Sequence, residues 1–270
     1  MNLLPSFVGA PEVNRVYHTD LFTLCDAMPD TSVDMILMDL PYGTTACHWD
    51  SIIPFEPMWA RLKRIIKPRG AIVLTASQPF TSALVMSNPG WWREELIWDK
   101  HLAVGFLDAN LKHLKRHETV QVFCDGLPYY CPQMSEGEPY HKPPKKQTPI
   151  YGAFREIGLI NTTGERYPTT IVDITNANLS VRVHPTQKPV ALFEYLIRTY
   201  TREGELVFDG VVGSGTTAVA ARNCKRNFIC GDKELDYVLT ARDRLRMPFE
   251  ARQKPAVNDV SDLPLFASAE

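Results

Sequence analysis

The sequence predicts an α/β fold built on a mostly parallel sheet, and three observations carry the prediction. Short β-rich runs alternate with stretches of helical periodicity, an apolar strand runs into a glycine-rich turn that opens a helix, and two strands end on an acid. With 270 residues and 44% hydrophobic content, the chain is long enough for one sizeable core, here read as a single domain carrying an insertion.

In chain order, strands are expected at Arg15–His18, Met35–Asp39, Ala71–Thr75, Glu95–Trp98 and Thr119–Cys124. Between the second and third, Phe55, Trp59, Leu62, Ile65 and Ile66 recur at helical spacing, and Lys67-Pro68-Arg69-Gly70 supplies a stop. Residues 125–183 are rich in Pro, Gly, Tyr, Lys and Thr with weak periodicity, and read as an insertion. Alternation resumes with a helix over Val190–Tyr200, a strand at Glu205–Phe208, a helix through Ala218–Asn223, a strand at Phe228–Cys230 and a helix over Leu235–Leu245. After Met247 the chain is polar and aperiodic, as expected of a mobile tail.

A net charge of −2 gives no global basic field, so any nucleic-acid surface has to be local. The apolar runs fall short of the roughly 20 residues of a membrane span, and the N-terminal segment lacks the pattern of a secretory signal, so a cytoplasmic location is expected. Six cysteines form neither a CxxC pair nor a zinc-like spacing. They are expected to be reduced and mostly buried, and no metal is expected.

The first motif with chemical content is Asp209-Gly210-Val211-Val212-Gly213-Ser214-Gly215-Thr216, after the apolar Leu206-Val207-Phe208. Glycines there let backbone approach a ligand, and amides at a helix start attract an anionic group. Asp232, one strand later, stands where such folds set an acid against ribose hydroxyls. Turn and acid together point to an adenosine-bearing cofactor, with a dinucleotide still open at this step.

The second motif is Asp39-Leu40-Pro41-Tyr42, at the carboxyl end of a buried strand. Pro41 fixes φ and holds Leu40 extended, so that the Leu40 carbonyl and the Asp39 carboxylate offer two acceptors to one amino group. Tyr42 offers a face for a base extruded from a duplex. An exocyclic amine is a poor nucleophile because its lone pair is delocalised, and two acceptors on its hydrogens favour the pyramidal form that attacks an activated methyl.

These residues bring the sequence to a resemblance. The order, Asp39-Leu40-Pro41-Tyr42 before the glycine turn, resembles that of the permuted, β-type S-adenosylmethionine-dependent DNA amino-methyltransferases. Leucine stands at the first proline of that family's catalytic motif, and Gly210 and Val211 depart from its glycine turn. The resemblance implies a Rossmann-like, seven-stranded, circularly permuted fold with a catalytic half over residues 1–124, target recognition in residues 125–183, a cofactor half over residues 184–247 and a tail beyond. His184-Pro185-Thr186-Gln187-Lys188-Pro189 resembles the segment that meets the methionine part of the cofactor, and Asp20 an acid near its adenine. The implied cofactor-binding set is Asp20, Asp39, Thr186, Gln187, Lys188, Asp209, Gly210, Val211, Gly213, Ser214, Gly215, Thr216 and Asp232. Trp98-Asp99-Lys100 resembles a block lining the target-base pocket.

The aspartate form of the motif implies adenine N6 as acceptor, with cytosine N4 as the alternative and an RNA or protein amine less favoured. Asp39 and Tyr42 argue against a regulator that has lost catalysis, and the His184–Pro189 block argues against NAD. The implied partner is double-stranded DNA, met by a monomer or homodimer. Lys100, His101, Lys112, Lys115 and Arg116 form one basic stretch, with His113 and His117, and Lys142, Lys145, Lys146 and Arg155 another, near Tyr140, Tyr151 and Phe154. Both are expected against phosphates.

Overall fold

The computed structural model describes residues 9–43, 51–143, 159–175 and 187–246. Its elements are β1 (Arg15–His18), α1 (Leu21–Ala27), β2 (Val33–Asp39), α2 (Phe55–Ile65), β3 (Ile66–Ala76), α3 (Phe80–Ser87), β4 (Trp92–Val104) and β5 (Lys115–Phe123). They continue with β6 (Tyr140–Lys142), β7 (Leu159–Asn161), β8 (Ile171–Asp173), α4 (Val190–Tyr200), β9 (Leu206–Asp209), α5 (Thr216–Asn223), β10 (Asn227–Asp232) and α6 (Leu235–Arg246).

Eight strands form one sheet in the order β1-β10-β9-β2-β3-β5-β4-β8, and β6 and β7 pair separately. The β1 to β3 side is parallel throughout, β5 runs antiparallel to both β3 and β4, and β8 returns parallel to β4. Seven strands were expected. The eighth is β8, whose Ile97↔Ile171 to Asp99↔Asp173 pairing is fixed from outside by Trp98, which donates from Nε1 to the Ile174 carbonyl at 2.7 Å. A three-residue strand with only Val172 buried leaves no period to read.

The central strands are buried on both faces, which explains their unbroken apolar runs. Met35 and Leu37 of β2, with Ala71 and Val73 of β3, pack toward Leu192, Phe193 and Leu196 of α4. Ile36, Met38, Ile72 and Leu74 face the other way, toward Leu24, Met58, Leu62 and Leu84 of α1, α2 and α3. Lys67–Gly70 ends α2 as expected, but from within β3. Val33 pairs with Ile66 and Met35 with Ala71, so the four residues bulge, with Arg69 at φ 64°. Gly70 belongs there because a Cβ would sit 2.8 Å from the Asp34 carbonyl oxygen.

The topology creates the site. β9, from the C-terminal part of the chain, inserts between β10 and β2 with Met35↔Val207 and Ile36↔Phe208 in register. Four neighbouring parallel strands therefore carry Asp20, Asp232, Asp209 and Asp39 at or just past their carboxyl ends, where open α/β sheets bind ligands.

Candidate active site

A cleft of about 380 Å³ opens at those strand ends. It is lined by the whole Asp39-Leu40-Pro41-Tyr42 motif, by Asp20, Gln187 and Lys188, and by Asp209, Gly210, Val211, Gly213, Ser214, Thr216 and Asp232. Gly215, expected beside a ligand, faces away. It N-caps α5 at φ 88°, and a Cβ there would meet the Ala241 Cβ at 2.6 Å, so it allows α5 and α6 to approach. Thr186 lies outside the described residues, as do Lys145, Lys146 and Arg155 of the basic set.

Asp39 is held by four contacts. Lys188 Nζ lies 2.8 Å from each carboxylate oxygen, the Tyr42 hydroxyl donates to Oδ1 at 2.8 Å, and the Thr75 hydroxyl also donates to Oδ1. Thr75 comes from β3, paired directly opposite Asp39. Lys188 is in turn 3.2 Å from Oε2 of Glu118 on β5, whose Oε1 receives Lys100 at 3.0 Å. Burial works against a charge on Lys188, but the carboxylates of Asp39 and Glu118 outweigh it and hold the ammonium protonated. Burial likewise opposes ionisation of Glu118, and the two lysines reverse that and keep it a carboxylate.

This network bears on three expectations and corrects the one for Lys100. Lys188 was expected to meet a cofactor carboxylate, whereas its ammonium rests on Asp39 and Glu118. Lys100 was expected against phosphate, yet it is buried on Glu118 because β4 and β5 turn its side chain inward at the register Trp98↔Glu118. Tyr42, expected to offer a face to a base, lines the cleft with its ring stacked on Phe80 at 5.3 Å and its hydroxyl tied to Asp39.

On the glycine side, Asp209 is buried, accepts from the Val211 amide at 2.9 Å and from the Thr217 hydroxyl, and is pushed up to about 7 by that burial. Asp232 accepts from the Gly213 amide and the Glu234 amide, each at 2.9 Å, and so braces the turn against the end of β10. Gly213, at φ 50°, has open space where a Cβ would stand. At Gly210 a Cβ would lie 2.1 Å from Leu21 Cδ1, so α1 packs closely on the turn. Arg244 of α6 clamps the loop by donating to the Ser214 carbonyl at 2.6 Å.

Asp20 caps α1, accepting from the amides of Phe22 and Thr23 at 2.9 and 3.1 Å and from the Thr23 hydroxyl at 2.6 Å. Burial raises its pKa, but these donors outweigh it and leave the group below the ordinary carboxylate range. Its oxygens thus cap the helix while the residue lines the cleft, a second role that the sequence did not announce.

The remaining expected cations among the described residues are exposed, Lys112 in a loop and the others on strands β4, β5 and β6. Lys112 pairs with Asp108 at 2.7 Å and Arg116 with Asp99 at 2.8 Å, both at the β4–β5 hairpin, where His101 contacts Asp173 and Lys115 contacts Ser77. Lys142 stacks over Tyr140 at 4.8 Å on the β6–β7 ribbon. Sequence reasoning missed Thr75, Glu118 and Glu234, the last of which also lines the cleft. Glu118 had one signal, a lone acid closing the basic run Lys115-Arg116-His117 ahead of an apolar strand.

Two features of the cleft bear on a cofactor. The buried Oε1 of Gln187 has no hydrogen-bond partner although the residue lines the cleft, and the first turn of α5 has no side-chain cap. An acceptor and uncapped amides in one cleft suit an amino acid moiety with an ammonium and a carboxylate.

Comparison with known proteins agrees with this geometry. The type II methyltransferase M2.DpnII of Streptococcus pneumoniae is 27% identical over 258 residues, covering 84% of this chain and 88% of that protein. The type II methyltransferase M.HpaI of Haemophilus parainfluenzae is 25% identical, covering 87% and 77%. Among solved structures, the cytosine-N4-specific PvuII DNA methyltransferase superposes with a TM-score of 0.63 at 15% identity, over 90% of each chain. The M1.HpyAVI–SAM complex gives 0.57 at 22% identity, over 85% of this chain and 98% of that one. The N6/N4 DNA methylase family model matches residues 33–243, and the chain therefore belongs to the DNA methylase family of the N6-adenine/N4-cytosine type.

Proposed function

We propose that the protein is a site-specific DNA methyltransferase that uses S-adenosylmethionine to methylate the N6 amine of an adenine flipped out of the duplex. The observation that carries this reading is the meeting, in one cleft, of the Asp39-Leu40-Pro41-Tyr42 motif with the Asp209–Thr216 turn, 170 residues apart in sequence by their leading aspartates (209 − 39). S-adenosylmethionine supplies, when bound, the sulfonium methyl that the amine displaces, with the C–S bonding pair staying on sulfur and S-adenosylhomocysteine leaving.

Gln187 and the start of α5 hold the amino acid end of the cofactor, and Asp232 with Glu234 lies at the ribose. Asp39 accepts a hydrogen of the target amine and, with the Leu40 carbonyl, draws the nitrogen toward the geometry in which its lone pair is free. Thr75 and Tyr42 fix the orientation of the carboxylate. The new N–C bond leaves the nitrogen cationic, and loss of one of its protons to water completes the reaction. The β4–β5 hairpin, with Lys112, Lys115 and Arg116, and the β6–β7 ribbon, with Lys142, lie against phosphates, and residues 125–183 read the site. The enzyme works on double-stranded DNA in the cytoplasm of a bacterial cell, as a monomer or homodimer.

Adenine follows from the aspartate at the head of the motif. Cytosine N4 is the second reading, favoured by the structural likeness to a cytosine-N4-specific enzyme. Incubation with labelled S-adenosylmethionine and unmethylated duplex DNA, then nucleoside digestion and mass spectrometry, decides between them. N6-methyladenine is expected. N4-methylcytosine corrects the base and keeps the site chemistry, and the absence of any DNA product overturns the proposal.

A further inference from the structure

The arrangement at Asp39 holds a conflict that the reaction has to resolve. Oδ1 accepts from Tyr42, Thr75 and Lys188 together, and Oδ2 accepts from the same ammonium at 2.8 Å. An ionised carboxylate offers about four lone-pair sites, so Oδ1 is filled, Oδ2 keeps one site, and the charge is already neutralised by the ammonium. Moreover, the amine nitrogen becomes cationic as it takes the methyl, and an ammonium on the same carboxylate opposes that charge. Asp39 therefore assists with its full charge only when Lys188 moves off it.

A second seat stands ready. Glu118 Oε2 is buried and already ion-paired with Lys188 Nζ at 3.2 Å, but without the alignment of a hydrogen bond. Its companion oxygen is held by Lys100 at 3.0 Å, so the carboxylate is fixed while Oε2 stays available. An acceptor buried without a hydrogen bond costs stability unless some state of the molecule uses it. The distance is short enough for a change of side-chain torsion in Lys188, with no backbone movement, to complete the bond.

We propose that Glu118 is a positioning residue that receives the Lys188 ammonium when the target amine enters, and so frees Asp39 to accept from the amine. The ammonium stays protonated and paired in both states, which avoids the large penalty of an unpaired buried charge. Lys188 is thereby a gate on the acceptor, closed on Asp39 when no base is present and opened onto Glu118 by the arriving amine. Glu118 touches neither base nor cofactor and acts through Lys188 alone. The inference rests on the reading of Asp39 as the seat of the target amine.

The test is a binding measurement independent of turnover. Once the methylated site is known, wild type and Glu118→Gln are titrated, with S-adenosylhomocysteine present, against a duplex carrying the target base and against one carrying its deamino analogue. The analogue is purine for adenine or pyrimidin-2-one for cytosine. Wild type is expected to prefer the amine-bearing base by about tenfold, as one good hydrogen bond to a charged acceptor supplies. Glu118→Gln is expected to cut the preference below about twofold, because Lys188 then has no charged alternative to Asp39. A merely structural role for Glu118 leaves the preference at its wild-type value, and that result overturns the inference. Should Glu118→Gln fail to fold, Glu118→Asp, which keeps the charge and withdraws the oxygen, is read the same way. No preference in wild type removes the amine from Asp39 and defeats the underlying reading instead.

Discussion

Lys188 Nζ lies 2.8 Å from both carboxylate oxygens of Asp39, joining residues 149 apart in sequence into the centre of a buried ion network. Removing the cation leaves the buried Asp39 carboxylate without its ion-pair partner and takes from Glu118 one of the two lysines that keep it ionised. Lys188→Met is therefore expected to destabilise the protein by about 3 kcal/mol at pH 7.5, and by less at pH 5, where the buried Glu118, relieved of Lys188, takes up a proton more readily. Urea denaturation at the two pH values checks this. Equal losses at both would show that packing, not charge, is what Lys188 supplies.

Asp209 makes stability depend on pH in the opposite sense from an ordinary paired carboxylate. Its folded pKa is raised by burial from 3.8 to about 7, so the folded state holds a proton that the unfolded chain releases. The stabilisation is fully present below pH 4 and is lost as pH rises through 7, with a ceiling of about 4 kcal/mol for a shift of about three units. Asp209→Asn keeps an acceptor for the Val211 amide and cannot ionise. The variant is expected to lose the wild-type decline in melting temperature between pH 5 and 8, as differential scanning calorimetry will show.

Gly215 sits where a side chain is excluded twice, by φ at 88° and by the Ala241 Cβ at 2.6 Å from any added carbon. Gly215→Ala is expected to cost about 2 to 3 kcal/mol, from the left-handed backbone and the forced separation of α5 from α6. Gly213→Ala meets only open space and is strained by backbone alone, with φ at 50°. Chemical denaturation of the pair should rank Gly215→Ala as the more damaging.

On the β4–β5 hairpin, Lys112 and Arg116 make exposed ion pairs with Asp108 and Asp99, contacts of little value to folding. Replacing both by alanine is expected to leave the melting temperature within about 2 °C, since surface changes of this kind usually stay within about 0.5 kcal/mol. DNA binding should weaken, with the slope of log affinity against log salt falling by about 0.9 for each phosphate that is no longer neutralised. An unchanged slope would remove this hairpin from the DNA-facing surface.

The sequence disclosed those parts of the fold whose signals are local. β1, α4 and the strand leading to Asp39 were legible because apolar runs and turn residues mark them without reference to neighbours. So were the two motifs of the cleft, each being a strand end followed by its own turn. What could not be read depends on contacts distant in sequence. β8 exists because Trp98 and β4 provide its partners, and Thr75 matters because it lies opposite Asp39 across a strand pair. Lys100 and Lys188 looked like cations awaiting phosphate or carboxylate ligands, and their shared partner, Glu118, is visible only once β4 and β5 are paired. Asp20 shows the reverse difficulty, an acid at the right strand end whose oxygens also cap α1.

The most direct test of the central claim, that Asp39 engages the target amine, is single-turnover methyl transfer by Asp39→Ala, with calorimetric titration of S-adenosylmethionine on the same preparation. Transfer is predicted to fall by at least about 1,000-fold, as removal of a positioned transition-state acceptor produces, while cofactor affinity stays within about threefold of wild type. Transfer near the wild-type rate would contradict that role for Asp39.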